Sequence, residues 1–555
     1  MKQEDVANTP FTLCYSAFPT RYLDDYAEEI SSIYDGFFFP IGSWRRGCEE
    51  KLGIDGRPPL DRGWVESARS NLASLRRAGA QENFLTVCFD KEGEWPSPAT
   101  ILDPSYQDKM GRYFSKIALS ARRLGFRGVC IDVEYPYPRY EVEHPVYRYE
   151  DYTVGRLLAE SRREGRIVAA SILDQYPDVP VITLPGNLRC RPIVRSFLVG
   201  ILEEMARRDS KGGLHLGSEF TYSLNDPVTN VAAVLADEGI VGFISSEEVA
   251  DYWRRACTVA PGVWPLHMVE TGGEGYPERP WSDELSELSD QLAILRRLSE
   301  RYVWVYTGAP SWLVDPEAAP RYGISQARFE KRDVDLQEWH QVLRRRLTTD
   351  PALEELVEAV QNYRLHRIGS EELCDRFGTP ASWWVLGPLG NPHTHPEFAA
   401  EESREESIDP YRPYHGRDGA VRWFVFHNND PRGIVSCRYV FDWRRTDDAS
   451  ANFASFVHVQ RPMDLLLNVG WDDGIRVWLN DRLVFDRAEY PPEGHGFQYR
   501  DRYCFEDRVR VRLPRGTSKL FVTSINSHGN WIFSLRLTGE DGIPPAGLQF
   551  RLDWA

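Results

Sequence analysis

Nowhere does the chain hold the roughly 18 consecutive apolar residues of a membrane-spanning helix, so no membrane partner is expected. Met1 to Pro10 is polar and lacks the apolar stretch of a secretory signal. The expectation is a cytoplasmic protein, or a secreted one whose leader is absent from this sequence. Cysteine is sparse and unpaired, with nine residues at 14, 48, 88, 130, 190, 257, 374, 437 and 504 and no CxxC spacing. An odd, scattered set argues against a disulfide framework and a zinc knuckle. Cys14, Cys88 and Cys130 fall within apolar runs and read as small core residues. Positive charge is in deficit, with 66 Lys and Arg against 83 Asp and Glu, a net charge of −17. A nucleic-acid partner, whose phosphates need a basic surface, is therefore excluded from the expectation.

Several chemical signatures are also missing. No GxGxxG or GxxxxGK[ST] loop occurs, which argues against nucleotide binding. There is no GxSxG elbow; Gly217-Ser218-Glu219 does not complete one. His144, His215 and His267 stand isolated, and the only HxH pair, His393-Thr-His395, lies in a Pro-rich stretch. No cofactor and no metal are expected, although Ca²⁺ held by loop carboxylates stays open.

Aromatics, by contrast, are plentiful: 17 Trp, 26 Tyr and 26 Phe. Flat ring faces suit the C–H faces of sugars, and they suit large β cores as well. The most informative segment is Arg127-Gly-Val-Cys-Ile-Asp132-Val-Glu134-Tyr-Pro136, an apolar strand ending in two carboxylates. Strand side chains alternate, so Gly128, Cys130, Asp132 and Glu134 share a face. Burying two acids there is costly unless they are partnered or perform chemistry; a structural pair satisfied by arginine is the other reading.

Strands and helices alternate along the first part of the chain. Strand-like runs fall at 11–18, 36–41, 84–90, 128–134, 179–184, 214–221, 263–270 and 302–307. Helical spacing recurs at 22–34, 64–77, 106–124, 193–208, 228–236, 284–300 and 336–347. Eight such units predict a (β/α)8 TIM barrel over 1–370, with an open doubly wound sheet as the alternative.

A barrel gathers its active site where strands end. Here those ends are polar: Tyr15, Trp44, Asp90, Asp132 with Glu134, Glu219 with Tyr222, Glu270, and Tyr306 with Trp312. Converging carboxylates with Tyr and Trp form the constellation that protonates and displaces a glycosidic oxygen. One acid must be protonated while another is ionised, which closely placed carboxylates achieve by pushing their pKa values apart.

Gly128, Asp132, Glu134, Tyr135 and Pro136 resemble the fourth-strand DGxDxDxEYP signature of chitinase-type glycoside hydrolases. Arg127, Cys130 and Val133 stand where that family has Asp, Asp and Trp. The resemblance implies Glu134 as general acid and Asp132 as a group that orients the substrate. It also implies that Tyr222 could serve as the supporting sixth-strand tyrosine. Many retaining glycosidases on this barrel place the acid/base after strand four and the nucleophile after strand seven. By that analogy Glu270 partners Glu134, with carboxyls ~5–5.5 Å apart for retention; Glu219 is the other candidate partner. In Met268-Val-Glu270-Thr-Gly-Gly the acid also reads as a loop cap, and Asp90-Lys-Glu-Gly as a turn.

Beyond a connector at 371–420, short alternating β-branched and aromatic runs over 421–555 predict an antiparallel β-sandwich, whose first strand could start near 381. Trp384-Val-Leu-Gly-Pro388, Trp471-Asp-Asp-Gly-Ile-Arg-Val-Trp478-Leu-Asn480 and Leu513-Pro-Arg-Gly516 resemble the jelly-roll modules of bacterial polysaccharide-degrading enzymes. Trp471 and Trp478 are thus either a sugar platform or core, with core favoured. The expectation is a glycoside hydrolase acting on an oligo- or polysaccharide, with Glu134 as acid, Asp132, Glu270 and Glu219 as its catalytic partners, and Tyr15, Trp44, Asp90, Tyr222, Tyr306 and Trp312 on the substrate. The alternative is a non-catalytic carbohydrate-binding protein on a degenerate barrel. A lyase or isomerase using the same acids is a third reading.

Overall fold

The structure is a computed structural model that describes residues 10–15, 20–41, 62–88, 101–133, 154–184, 192–219, 221, 227–235, 244, 246–264, 281–306, 318–322, 336–344, 351–394, 408–441, 446–488, 507–528 and 531–553. It divides into two compact units, one of residues 1–223 and 234–348, the other of 224–233 and 349–555.

In the first unit eight parallel strands close on themselves in sequence order. They are β1 (Phe11–Tyr15), β2 (Gly36–Pro40), β3 (Phe84–Cys88), β4 (Gly128–Asp132), β5 (Val181–Leu184), β6 (Leu214–Ser218), β7 (Thr258–Val263) and β8 (Tyr302–Tyr306). The ring is sealed by β1 and β8, with Phe11 opposite Tyr302 and Tyr15 opposite Tyr306. This is the TIM-type barrel and not the open sheet. Its interior is a packed cluster including Leu13, Phe38, Phe84, Cys130, Ile182, Ala260, Tyr302 and Trp304. The first inward position of β4 is glycine for want of room: a Cβ on Gly128 would lie 2.4 Å from the Phe84 ring.

The helix before β4, Pro104–Leu124, shows how local sequence frames a strand. Asp103 accepts from the Ser105 N–H at its start, and Gly125 ends it in the left-handed conformation at φ 89°. The following helix, Val154–Gln175, buries Glu164 at 1 % exposure, and its Oε1 finds no hydrogen-bond partner among the described residues. Burial alone pushes this carboxyl up to about 8.

The seventh strand departs most from expectation. The seventh is Thr258–Val263 and not 263–270, because Pro261-Gly262, which reads as a turn, continues the strand. Glu270 therefore lies seven residues beyond the strand end and outside the described residues.

The second unit contains two antiparallel sheets. The larger runs β12 (Phe424–His427), β9 (Ser382–Gly390), β14 (Ala449–Val459), β19 (Gly516–Asn526), β16 (Gly474–Leu479) and β17 (Arg482–Arg487), with β21 (Gln549–Arg551) pairing on β14. The smaller runs β13 (Ile434–Ser436), β20 (Ile532–Thr538), β15 (Met463–Trp471) and β18 (Asp507–Leu513). A two-stranded hairpin of β10 (Tyr414–Gly416) and β11 (Gly419–Val421) packs Tyr414 and Val421 against Leu386 and Leu389 of β9, and the Arg417 N–H in its turn donates to the Pro388 carbonyl at 3.2 Å. Alternation sends Trp383, Phe453, Val477 and Val522 from one sheet against Leu467, Val469, Phe533 and Leu535 of the other in a single core. Trp383 meets Phe533 edge-on at 5.7 Å. Trp478 is a core residue, 3 % exposed in a second cluster with Trp423 and Phe521. Trp471 packs half-buried on the main core with its ring 5.4 Å from Phe485. His393 of the HxH pair bonds its Nε2 to the Ala488 carbonyl at 2.6 Å.

Candidate active site

Four of the ten expected site residues are described, all at the carboxyl ends of strands: Tyr15 on β1, Asp132 on β4, Glu219 just past β6 and Tyr306 on β8. Trp44, Asp90, Glu134, Tyr222, Glu270 and Trp312 lie outside the described residues. Because β4 ends at Asp132, Glu134 falls two residues past the strand and not on it.

Tyr15 and Asp132 meet although 117 residues separate them. The Tyr15 hydroxyl donates to Asp132 Oδ2 at 2.7 Å, with the two residues 1 % and 4 % exposed. The next inward residue below Asp132 is Cys130, and the donor to the carboxylate comes from β1, three strands round the barrel. Packing sets the tyrosine ring: Phe38 lies 5.6 Å away, Trp304 6.0 Å and Tyr306 5.4 Å. Trp304, 1 % exposed, closes the layer below and donates its Nε1 to the Ala260 carbonyl at 3.0 Å.

The aromatic wall continues onto β7. Trp264, the first residue past that strand, meets Tyr306 at 4.8 Å and 87°. Both are half-buried. With the seventh strand read at 263–270, nothing in the sequence marked Trp264 as a strand-end residue. Glu219, also half-buried, is the first residue past the neighbouring β6. The mouth thus carries a buried carboxylate held by a phenol, a second carboxylate, and a run of aromatic rings from β1 through β8 to β7.

The opposite end of the barrel holds titratable groups in another way. His215 on β6 faces the interior and meets Tyr302 edge-on at 5.0 Å. Its Nε2 lies 3.0 Å from the Gly212 carbonyl and its Nδ1 2.9 Å from Thr258 Oγ1. A carbonyl only accepts, so Nε2 carries the proton and Nδ1 takes the threonine hydroxyl's. Burial, helped by the Arg301 charge, pushes this imidazole down to about 3, so it is neutral at physiological pH. Tyr302 donates to Glu82 Oε2 at 2.9 Å, and Arg127 reaches Glu82 at 3.4 Å. Among the described residues no group of three or more His, Cys, Asp or Glu is placed to hold a metal ion. Among them too, no helix is long and apolar enough to cross a membrane.

No family model matches the chain, and no curated protein does. Solved structures that overlap it include an exo-beta-1,4-mannosidase from Opitutaceae bacterium strain TAV5, at 10% identity and TM-score 0.33 over 61% of this chain. The chain covers only 59% of that mannosidase. An old yellow enzyme homologue from Zymomonas mobilis matches at 12% identity and TM-score 0.32, over 61% of this chain and 93% of its own. A GH18 chitinase from Cycas revoluta, in complex with (GlcNAc)3, matches at 13% identity and TM-score 0.26, over 46% and 68%. Overlaps this weak across such different proteins assign no reaction.

Proposed function

We propose that the chain is a glycoside hydrolase whose mouth works through Glu134 and Asp132. The observation that supports this best is the buried 2.7 Å bond from Tyr15 to Asp132. A carboxylate held at the end of a barrel strand by a phenol from the far side is oriented for chemistry in the mouth. In this reading Glu134, two residues on, gives its proton to the glycosidic oxygen as the bond to the anomeric carbon breaks. A water then adds its hydroxide to that carbon, and its proton restores Glu134. Asp132 keeps its negative charge, steadies the oxocarbenium-like centre or a substrate group beside it, and is held still by Tyr15. Glu219 and Glu270 stay as candidate second carboxylates, and Tyr306 as a subsite wall.

The test is hydrolysis of a panel of oligosaccharides and aryl glycosides by wild type and Glu134→Gln. Sugar release by wild type alone supports the reading. Equal rates in both, or glycan binding without turnover by wild type, would reject it, the latter in favour of a carbohydrate-binding protein.

A further inference from the structure

We propose that Trp264 is a substrate-binding residue of the mouth, forming with Tyr306 an aromatic corner that takes one ring of a pyranoside. This rests on the glycosidase reading and adds a residue and a substrate class to it.

Three observations lead there. Trp264 occupies the first position past β7, between β6, which Glu219 follows, and β8, which ends in Tyr306. Its ring stands at 87° to that of Tyr306 with 4.8 Å between centroids, so the two planes meet as floor and wall. Tyr306 in turn lies 5.4 Å from Tyr15, whose hydroxyl holds Asp132. The corner is therefore continuous with the carboxylate.

The layer below is closed. Trp304 is 1 % exposed with its Nε1 bonded to the Ala260 carbonyl, whereas Trp264 and Tyr306 are both half-buried. Of the rings in the run from Phe38 and Trp304 through Tyr15 to Trp264, only Tyr306 and Trp264 keep partial exposure. Aromatic faces carry a partial negative charge that attracts the weakly positive C–H groups gathered on one side of a pyranose. Such a contact reads the C–H face of the sugar and not its charge, so the substrate class it defines is a pyranoside.

The experiment separates this proposal from its parent. Turnover is measured in wild type, Trp264→Ala, Trp264→Leu and Trp264→Phe. Glycan affinity is measured by calorimetry in the Glu134→Gln background with and without each change at 264. The leucine variant keeps apolar bulk without ring faces and carries the test if the alanine variant fails to fold. The expected result is that Ala and Leu raise KM and the glycan Kd about 10-fold, while kcat changes less than about threefold. The Phe variant, which keeps a ring, stays within about threefold of wild type. Affinity unchanged in the leucine variant overturns the proposal, even if Glu134→Gln abolishes turnover and the parent reading stands. Weakened glycan binding at 264 in a protein that hydrolyses nothing upholds the binding role and rejects the parent instead. No glycan binding and no turnover by wild type would reject both.

Discussion

At the start of the strands, His215, Tyr302, Glu82 and Arg127 form a network in which the imidazole is buried and neutral and both its nitrogens are bonded. At their ends, Tyr15 and Asp132 are equally buried, and their bond joins β1 to β4, three strands apart round the ring. The floor also reaches across, Tyr302 of β8 bonding Glu82 just before β3, while His215 bonds to the turn before its strand and to the adjacent β7. The mouth orients a carboxylate toward the face where barrels do their chemistry. Burial of a titratable group alone therefore does not mark an active site; the two clusters differ in which end of the strands they occupy.

That contrast can be broken. Asp132→Ala should lower kcat/KM about 1,000-fold on any substrate the wild type accepts, consistent with loss of a group acting in the transition state. At the floor, His215→Ala should lower unfolding stability in urea by about 3 kcal/mol, from the cavity and two orphaned partners, and leave kcat unchanged. If His215→Ala instead abolished turnover in a folded protein, the functional contrast between the ends would be lost. Tyr15→Phe removes only the donor to Asp132 and should lower kcat about 10-fold with little change in thermal midpoint.

A finer probe uses pH. The folded His215 titrates near 3 and its free counterpart near 6.5, so its contribution is present above 6.5 and is lost as pH falls toward 3. Glu164 runs the other way: raised from 4.5 to about 8, it favours the fold below 4.5, and that contribution is lost as pH rises through 8. Each acts at about 1.4 kcal/mol per pH unit within its window. Glu164→Gln should flatten the decline in urea midpoint between pH 6.5 and 8; an unchanged slope would show that the carboxyl is not held protonated.

Much of the barrel could be read from alternation, since apolar runs separated by helical spacing carry their own period. Strand ends were harder. Val133 prolongs the apolar run of β4 past its last strand residue, and Pro261-Gly262 hides the middle of β7. That second misreading placed Glu270 at a strand end and left Trp264 unnoticed. Asp132 stood out because a carboxylate after Val and Ile is conspicuous in sequence. Tyr15 reads in sequence as a strand-end substrate contact, and its bond to Asp132 is not foreseen there, because that bond exists only once eight strands have closed. The neutral histidine of the floor was equally hidden, its partners Gly212 and Thr258 being ordinary residues in any linear reading.

Among the described residues the barrel has no free strand edge, whereas the larger sheet of the second unit ends in β12 and β17 and the smaller in β13 and β18. β12 and β13 are only four and three residues long, which limits what can pair with them. β17 and β18 are longer, and they carry Arg482, Asp486, Arg487, Arg508, Arg510 and Arg512 among their apolar residues. A second strand laid along either edge would have to bring its own side chains up against these charges. Arginine spacing on β18 therefore bears on how concentrated a solution the protein tolerates: with Arg508, Arg510 and Arg512 replaced by Thr, light scattering should report self-association of an otherwise folded chain.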